Sequence, residues 1–230
     1  MKFKYLRLIG IVLFFVFLNN SNSYGQFFYR LEAEFSIKSK TKGEEGSLTL
    51  GRVFYDKNTG KLVYDIRFPE PEVWVSQDTV TRVFKDNLFS HQTSVNPYIK
   101  STVFHLVLSG NLNDFGLTQS NYSIKNTEKE EEMVITTWIP PKNPGILGNI
   151  LTSTVDNKLY GVVMKNPEDE VLSRQFFRKY KTVRGLNVPT EIVQIMYSED
   201  KKIYQIIKLS DIIINNTGNE DMYNYPRDIR

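Results

Sequence analysis

Histidine occurs twice, at His91 and His105, and cysteine not at all. Thiol nucleophiles, thiolate zinc sites and disulfides are thereby excluded. A serine hydrolase would need one of the two histidines as its base, but there is no G-x-S-x-G elbow, and Ser109-Gly110 follows a helical pattern rather than opening one. His105 lies between Phe104 and Leu106 and reads as a satisfied helix histidine. No H-E-x-x-H spacing gathers metal ligands, and Glu128-Lys-Glu-Glu-Glu132 reads as a solvated hairpin tip. The expectation is therefore no catalytic residue, no metal, no cofactor and no enzyme.

What the chain carries in quantity is apolar and aromatic material: fifteen Phe, thirteen Tyr and two Trp. The chemistry this suits is transfer of apolar groups out of water, at about 0.8 kcal/mol per buried CH₂. The candidates are Phe35, Tyr64, Ile66, Trp74, Phe84 and Trp138 on strands, with Val103 and Leu106 on a helix. In a closed globule these side chains make a core. In an incompletely closed barrel they line a cavity able to accept acyl chains.

The elements that would position them read mainly as strands. Leu62, Tyr64, Ile66 and Phe68 alternate with Lys61, Val63, Asp65 and Arg67, the period of two of a strand with one face turned inward. The stretch Gly51–Lys85 reads as four consecutive antiparallel strands. Pro69 and Pro71 mark a corner or an edge there, since neither can donate a ladder hydrogen bond. Before it, Leu31, Ala33, Phe35 and Ile37 form one face of a first strand, and Ser47–Tyr55 returns as a second.

After it, Tyr98–Ser109 places Ile99, Val103, Leu106 and Val107 at helical spacing, with Gly110 closing the pattern. A helix apolar on most of its surface needs an apolar partner, either a sheet or a cavity. Strands follow over Asn121–Thr127 and Met133–Ile139. The proline-rich loop Pro140–Gly145 then separates this half from one that reads as all strand, from Ile150 to Ile214, joined by turns such as Asp156-Asn157 and Arg184-Gly185. The count is about eleven strands and one clear helix, a mainly β chain without internal repeat.

Two stretches resemble the LolA family of periplasmic lipoprotein carriers. One is a glycine followed by the apolar strand Val53-Phe54-Tyr55, a turn, Leu62-Val63-Tyr64, Pro69, Val73-Trp74-Val75 and Val80–Phe84. The other is Gly185-Leu186-Asn187-Val188-Pro189-Thr190-Glu191-Ile192, which is similar to a pattern found late in LolA-like and lipoprotein-sorting domains. The resemblance covers roughly Leu31–Asn215. It implies an incomplete antiparallel β-barrel with a lid helix in its mouth, the lid falling on Tyr98–Ser109. It also implies a periplasmic carrier of acylated lipoproteins or lipids, passing cargo from an inner-membrane release complex to an outer-membrane acceptor.

The chain departs from that family in two places. Only about five residues of the expected mature chain precede the first strand, where LolA proteins usually have a long helix. The family's arginine-proline that tethers the lid is replaced by Asp56-Lys57-Asn58-Thr59, in which Lys57 is the nearest cation. These departures and a polar C-terminus fit a second reading, a non-enzymatic binding or structural subunit of a cell-envelope assembly built on the same half-barrel.

Met1–Gly25 carries Lys2, Lys4 and Arg7 and then the apolar run Leu8–Leu18, the pattern of a cleaved secretory signal, too short for the roughly 20 residues of a membrane span. The expected organisation is a signal over 1–25, a half-barrel domain over 26–215 and a flexible tail over 216–230, in an exported, periplasmic and monomeric protein. Taking the signal's three cations from the 29 Lys+Arg leaves 26, equal to the 26 Asp+Glu. No basic stripe argues for nucleic acid.

Overall fold

The computed structural model describes residues 28–77, 80–94, 114–142, 145, 147–198 and 201–226. The signal read over 1–25 and the helix read over Tyr98–Ser109, with its Val103 and Leu106, lie outside them. The described residues form thirteen strands of one antiparallel sheet. They are β1 (Arg30–Thr41), β2 (Ser47–Asp56), β3 (Lys61–Phe68), β4 (Glu72–Gln77), β5 (Val80–Lys85), β6 (Leu88–Ser94) and β7 (Ser123–Glu130). Then come β8 (Met133–Ile139), β9 (Ile150–Val155), β10 (Lys158–Lys165), β11 (Val171–Val183), β12 (Leu186–Ser198) and β13 (Lys201–Ile214). The strand missing from the sequence reading is β6, whose Leu88 and Phe89 are exposed and whose other residues are polar, so it lacks the alternation that marks its neighbours.

The order across the sheet is β6-β5-β4-β3-β2-β1-β13-β12-β11-β10-β9-β8-β7. Two meanders of sequential hairpins are joined where the first strand pairs with the last, over Leu31↔Ile214 to Thr41↔Ile203. The hairpin tips Asp86-Asn87, Asp156-Asn157 and Arg184-Gly185 all have positive φ at both positions. That conformation gives a two-residue loop the twist of its strands, and Asn, Asp and Gly adopt it at least cost. β6 and β7 end the order at opposite edges, so the barrel is not closed.

One apolar cluster collects Leu31, Val53, Leu62, Trp138, Phe177 and Ile192 from strands far apart in that order. A flat sheet could not bring them together. Sheets of more than about ten twisted strands curl, and here the curl encloses this cluster on the concave side. Phe115, Leu117 and Tyr122, from the segment around a 3₁₀ turn at Thr118–Ser120, complete that packing.

On the convex side a second, smaller cluster joins Phe54, Val63, Val75 and Phe84 to Tyr223. Tyr223 ends the helical turn α1 (Glu220–Tyr223) and is 3% exposed. In place of a loose tail, Asn216–Pro226 is clamped to the sheet. Buried Glu32 accepts hydrogen bonds from the side-chain amides of Asn216 and Asn219, each 2.9 Å away. Arg30 pairs with Asp56 at 3.0 Å and with Glu220, and its guanidinium lies 4.3 Å from the centre of the Tyr223 ring. The Lys61 ammonium donates to the carbonyls of Tyr223 and Tyr225. The polar composition that suggested disorder is the hydrogen-bonding equipment of the clamp.

The hydrogen bond from Arg30 holds the Glu220 carboxyl below its ordinary range. A carboxylate lowered by folding contributes its stabilisation fully above the unfolded value of about 4.3, and loses it as pH falls through the lower folded value. An NMR titration is therefore expected to show the Tyr223 amide unmoved at pH 5 and shifting or broadening below about pH 4. A Tyr223 signal constant to pH 3 would show that the Arg30–Glu220 pair does not hold the clamp.

Candidate functional site

The parity of β1 to β6 decides what faces the concave side at the β6 end of the sheet. Phe35 and Ile37 of β1, Val53 of β2, Leu62, Tyr64 and Ile66 of β3, and Trp74 and Ser76 of β4 share one face, as their cross-strand pairing requires. Val83 of β5 and His91 of β6 continue the row, and Ile207 and Leu209 of β13 close it from the other side. These residues enclose a cavity of about 540 Å³. Among the described residues its wall has no lysine, arginine, aspartate or glutamate. A second depression of about 650 Å³ is lined by Glu34, Arg67, Lys179, Glu191 and Lys208, and those charges make it unsuited to an apolar ligand.

Two local arrangements shape the cavity. The Phe35 and Tyr64 rings meet edge to face at 5.4 Å, and burial pushes the Tyr64 hydroxyl far above its ordinary pKa, so it stays neutral. Trp74 is 37% exposed, and its indole N–H donates to the Glu72 carboxylate at 2.7 Å. The hydrogen bond and charge of Lys85 hold that carboxylate low, which keeps it an acceptor. Trp74 is thus an anchored aromatic wall with one face towards the void.

The cavity also has a polar strip. Gln194 and Gln205 sit opposite each other on β12 and β13, and Gln205 donates to the Ser39 hydroxyl at 2.9 Å. Gln194 is 3% exposed and its Nε2 has no partner among the described residues. Ser76 and Thr81 hydrogen-bond to each other on the far wall. Such groups can orient a ligand.

Of the sequence candidates, Phe35, Tyr64, Ile66 and Trp74 come together on this wall. Phe84 does not. Its neighbour Val83 faces the cavity, so Phe84 faces the convex side, 5.2 Å from the Tyr225 ring. Trp138 is on the concave side but at the filled end, 2% exposed, with its indole N–H donating to Thr152 at 2.9 Å; it is core, not wall. The sequence reading missed Ile207, Leu209, Gln194 and Gln205, which reach the cavity only because β13 pairs with β1. An unexplained inward glutamine on each of two consecutive apolar strands was the available signal.

No family model and no curated protein matches the chain. Solved structures do match in fold. A LolA superfamily protein from Nitrosomonas europaea aligns at TM-score 0.58 and 11% identity over 84% of this chain and 90% of that one. An outer membrane lipoprotein-sorting protein domain from Vibrio parahaemolyticus aligns at TM-score 0.62 and 13% identity over 86% and 91%. A DUF1329 family protein from Desulfovibrio piger aligns at TM-score 0.59 and 13% identity over 86% and 90%. The chain therefore shares the open-barrel fold of the LolA superfamily.

Proposed function

We propose that this fold serves here as a non-enzymatic carrier of acyl chains in the cell envelope, with acylated lipoproteins or lipids as cargo. The observation that carries the reading is the 540 Å³ cavity, of ligand-pocket size and walled without lysine, arginine, aspartate or glutamate among the described residues. A void of this kind attracts acyl CH₂ groups by solvent transfer and holds them without directional bonds, which leaves release open. The lipoprotein-sorting domain among the fold's neighbours supports the same class of cargo. The signal-like N-terminus supports a periplasmic location, and transfer between an inner-membrane release complex and an outer-membrane acceptor is the corresponding role.

Trp74 gives the test. In a Trp138→Phe background the remaining indole belongs to the cavity wall, so titration with a long-chain fatty acid is expected to shift its emission to the blue and to saturate. Ile207→Phe, which projects a larger side chain into the same space, is expected to weaken the response at least tenfold. An emission spectrum unchanged across the titration in a folded protein would remove the carrier reading.

A further inference from the structure

The two halves of the convex face are built differently. Over β1 to β5 it is covered by Asn216–Pro226, and three of its arginines are ion-paired: Arg30 with Asp56 and Glu220, Arg52 with Glu32 and Glu34, Arg67 with Glu34 and Asp65. Over β10 to β13 and the second half of β1 no described segment covers it. The outward residues there form cross-strand rows, Phe176–Val193–Ile206–Lys38 and Arg174–Ile195–Tyr204–Lys40. Tyr204 and Ile206 are 45% and 40% exposed, and Tyr160 beside Phe176 is 39% exposed.

Charge on this half is of nearly one sign. Of the outward residues at 36–40, 174–178, 191–197 and 202–208, six are cations, Lys38, Lys40, Arg174, Arg178, Lys202 and Lys208, and one is a carboxylate, Glu191. Glu191 is taken by Lys179 at 2.8 Å. None of the six forms an ion pair among the described residues. Three stand over aromatic rings instead: Arg174 and Lys202 at 5.9 and 5.5 Å from Tyr197, and Arg178 at 5.9 Å from Phe176. In a chain whose charges balance once the signal is set aside, this is segregation, and its complement is an extended anionic surface.

We propose that this face docks on the surface of an anionic lipid bilayer. Aromatic and aliphatic side chains at the centre of the patch enter the headgroup boundary, and the six cations around them meet lipid phosphates. A bilayer fits better than a peptide. The strands of this half are paired on both sides, leaving no edge for an added strand, and the depression at its margin, between Glu34, Arg67, Glu191 and Lys208, is lined by charges of both signs rather than by the apolar wall a helix would need. The docking is independent of what the cavity holds, because Ile207 and Leu209 face the cavity while Ile206 and Lys208 face the membrane.

The test is sedimentation of the protein, purified in its processed state, with phosphatidylcholine vesicles containing or lacking about 30% phosphatidylglycerol, which gives the surface a negative potential. Expected is binding to the anionic vesicles only, weakening as salt is raised from about 0.05 to 0.5 M. The triple variant Arg174→Gln/Lys202→Gln/Lys208→Gln should lose about a hundredfold in partitioning, since each surface cation near an anionic bilayer contributes about fivefold. Tyr204→Ser/Ile206→Ser should weaken it with the charges intact, while the cavity variant Ile207→Phe should bind as wild type does.

Equal binding to neutral vesicles, or loss with Ile207→Phe, would trace the signal to lipid uptake by the cavity and overturn the proposal. No binding to anionic vesicles by the folded protein would overturn it too, leaving the face to an acidic protein partner. Thermal melting of each variant separates loss of docking from loss of fold.

Discussion

Trp138→Ala is expected to lower stability by about 3–5 kcal/mol, the range for truncating a fully buried large aromatic, and to lower the melting temperature by roughly 10 °C. The ring is 2% exposed among Ile150, Leu159 and Phe177, and its indole N–H is satisfied by Thr152. Removing it leaves a void in close-packed surroundings and an unpartnered hydroxyl at Thr152. The comparison that gives the number meaning is Trp74→Ala. Trp74 is 37% exposed and borders a space already empty, so its removal should cost about 1 kcal/mol or less, within the range of partly exposed positions, while acyl binding weakens. Paired thermal melts and fatty-acid titrations read both effects. Equal destabilisation by the two variants would mean that the Trp74 side of the barrel is packed core and not a cavity.

The second large effect is expected at Gly51, where β2 faces the β3 backbone beside a register shift. A Cβ added there would lie 2.2 Å from the Asp65 carbonyl oxygen and 3.0 Å from the Ile66 Cα. Both are backbone, so no side chain can swing aside, and the strands must separate at a register that pairs Gly51 with Phe35 and Ile66. Gly51→Val is expected to cost more than about 3 kcal/mol, beyond ordinary overpacking, and to open the cavity wall at Ile66. Gly161 supplies the control. There the nearest atom is the Ser153 hydroxyl at 2.9 Å, which can rotate away, so Gly161→Ala should melt within a few degrees of wild type. A Gly51→Val protein as stable as Gly161→Ala would show that β2 and β3 are spaced widely enough to take a Cβ at Gly51.

Seen from particular residues, legibility followed locality. Alternation over Leu31–Ile37 and Leu62–Phe68 and the Asp-Asn and Arg-Gly turns are local facts, and they identified strands, hairpins and an antiparallel sheet. The LolA-like open barrel came from the resemblance carried by Val53–Phe84 and Gly185–Ile192, not from the alternation itself. The four sequence candidates that line the cavity, Phe35, Tyr64, Ile66 and Trp74, lie on the β1 to β4 meander, where each strand pairs with its neighbour in sequence. β6 and the docked tail were missed because their weak apolar alternation resembles that of a loop, and only contact with Phe84 and Phe54 makes Phe89 and Tyr223 part of the structure.

By itself the sequence determined which segments extend and where they turn. Only the tertiary structure decided which side each residue faces and whether that side is filled. On β13, Leu209 and Ile214 are both in the concave core although one is at an odd and the other at an even position, because a bulge with Asp211 at positive φ inserts a residue between them. A bulge of one residue inverts the faces of everything beyond it, and no local preference of Asp or Ile announces that inversion. The same holds for Trp74 and Trp138, alike on the page as single tryptophans in alternating strands. Phe115, Leu117 and Tyr122 pack against the cluster that holds Trp138, whereas the concave side beside Trp74 keeps a void, so one indole is core and the other wall.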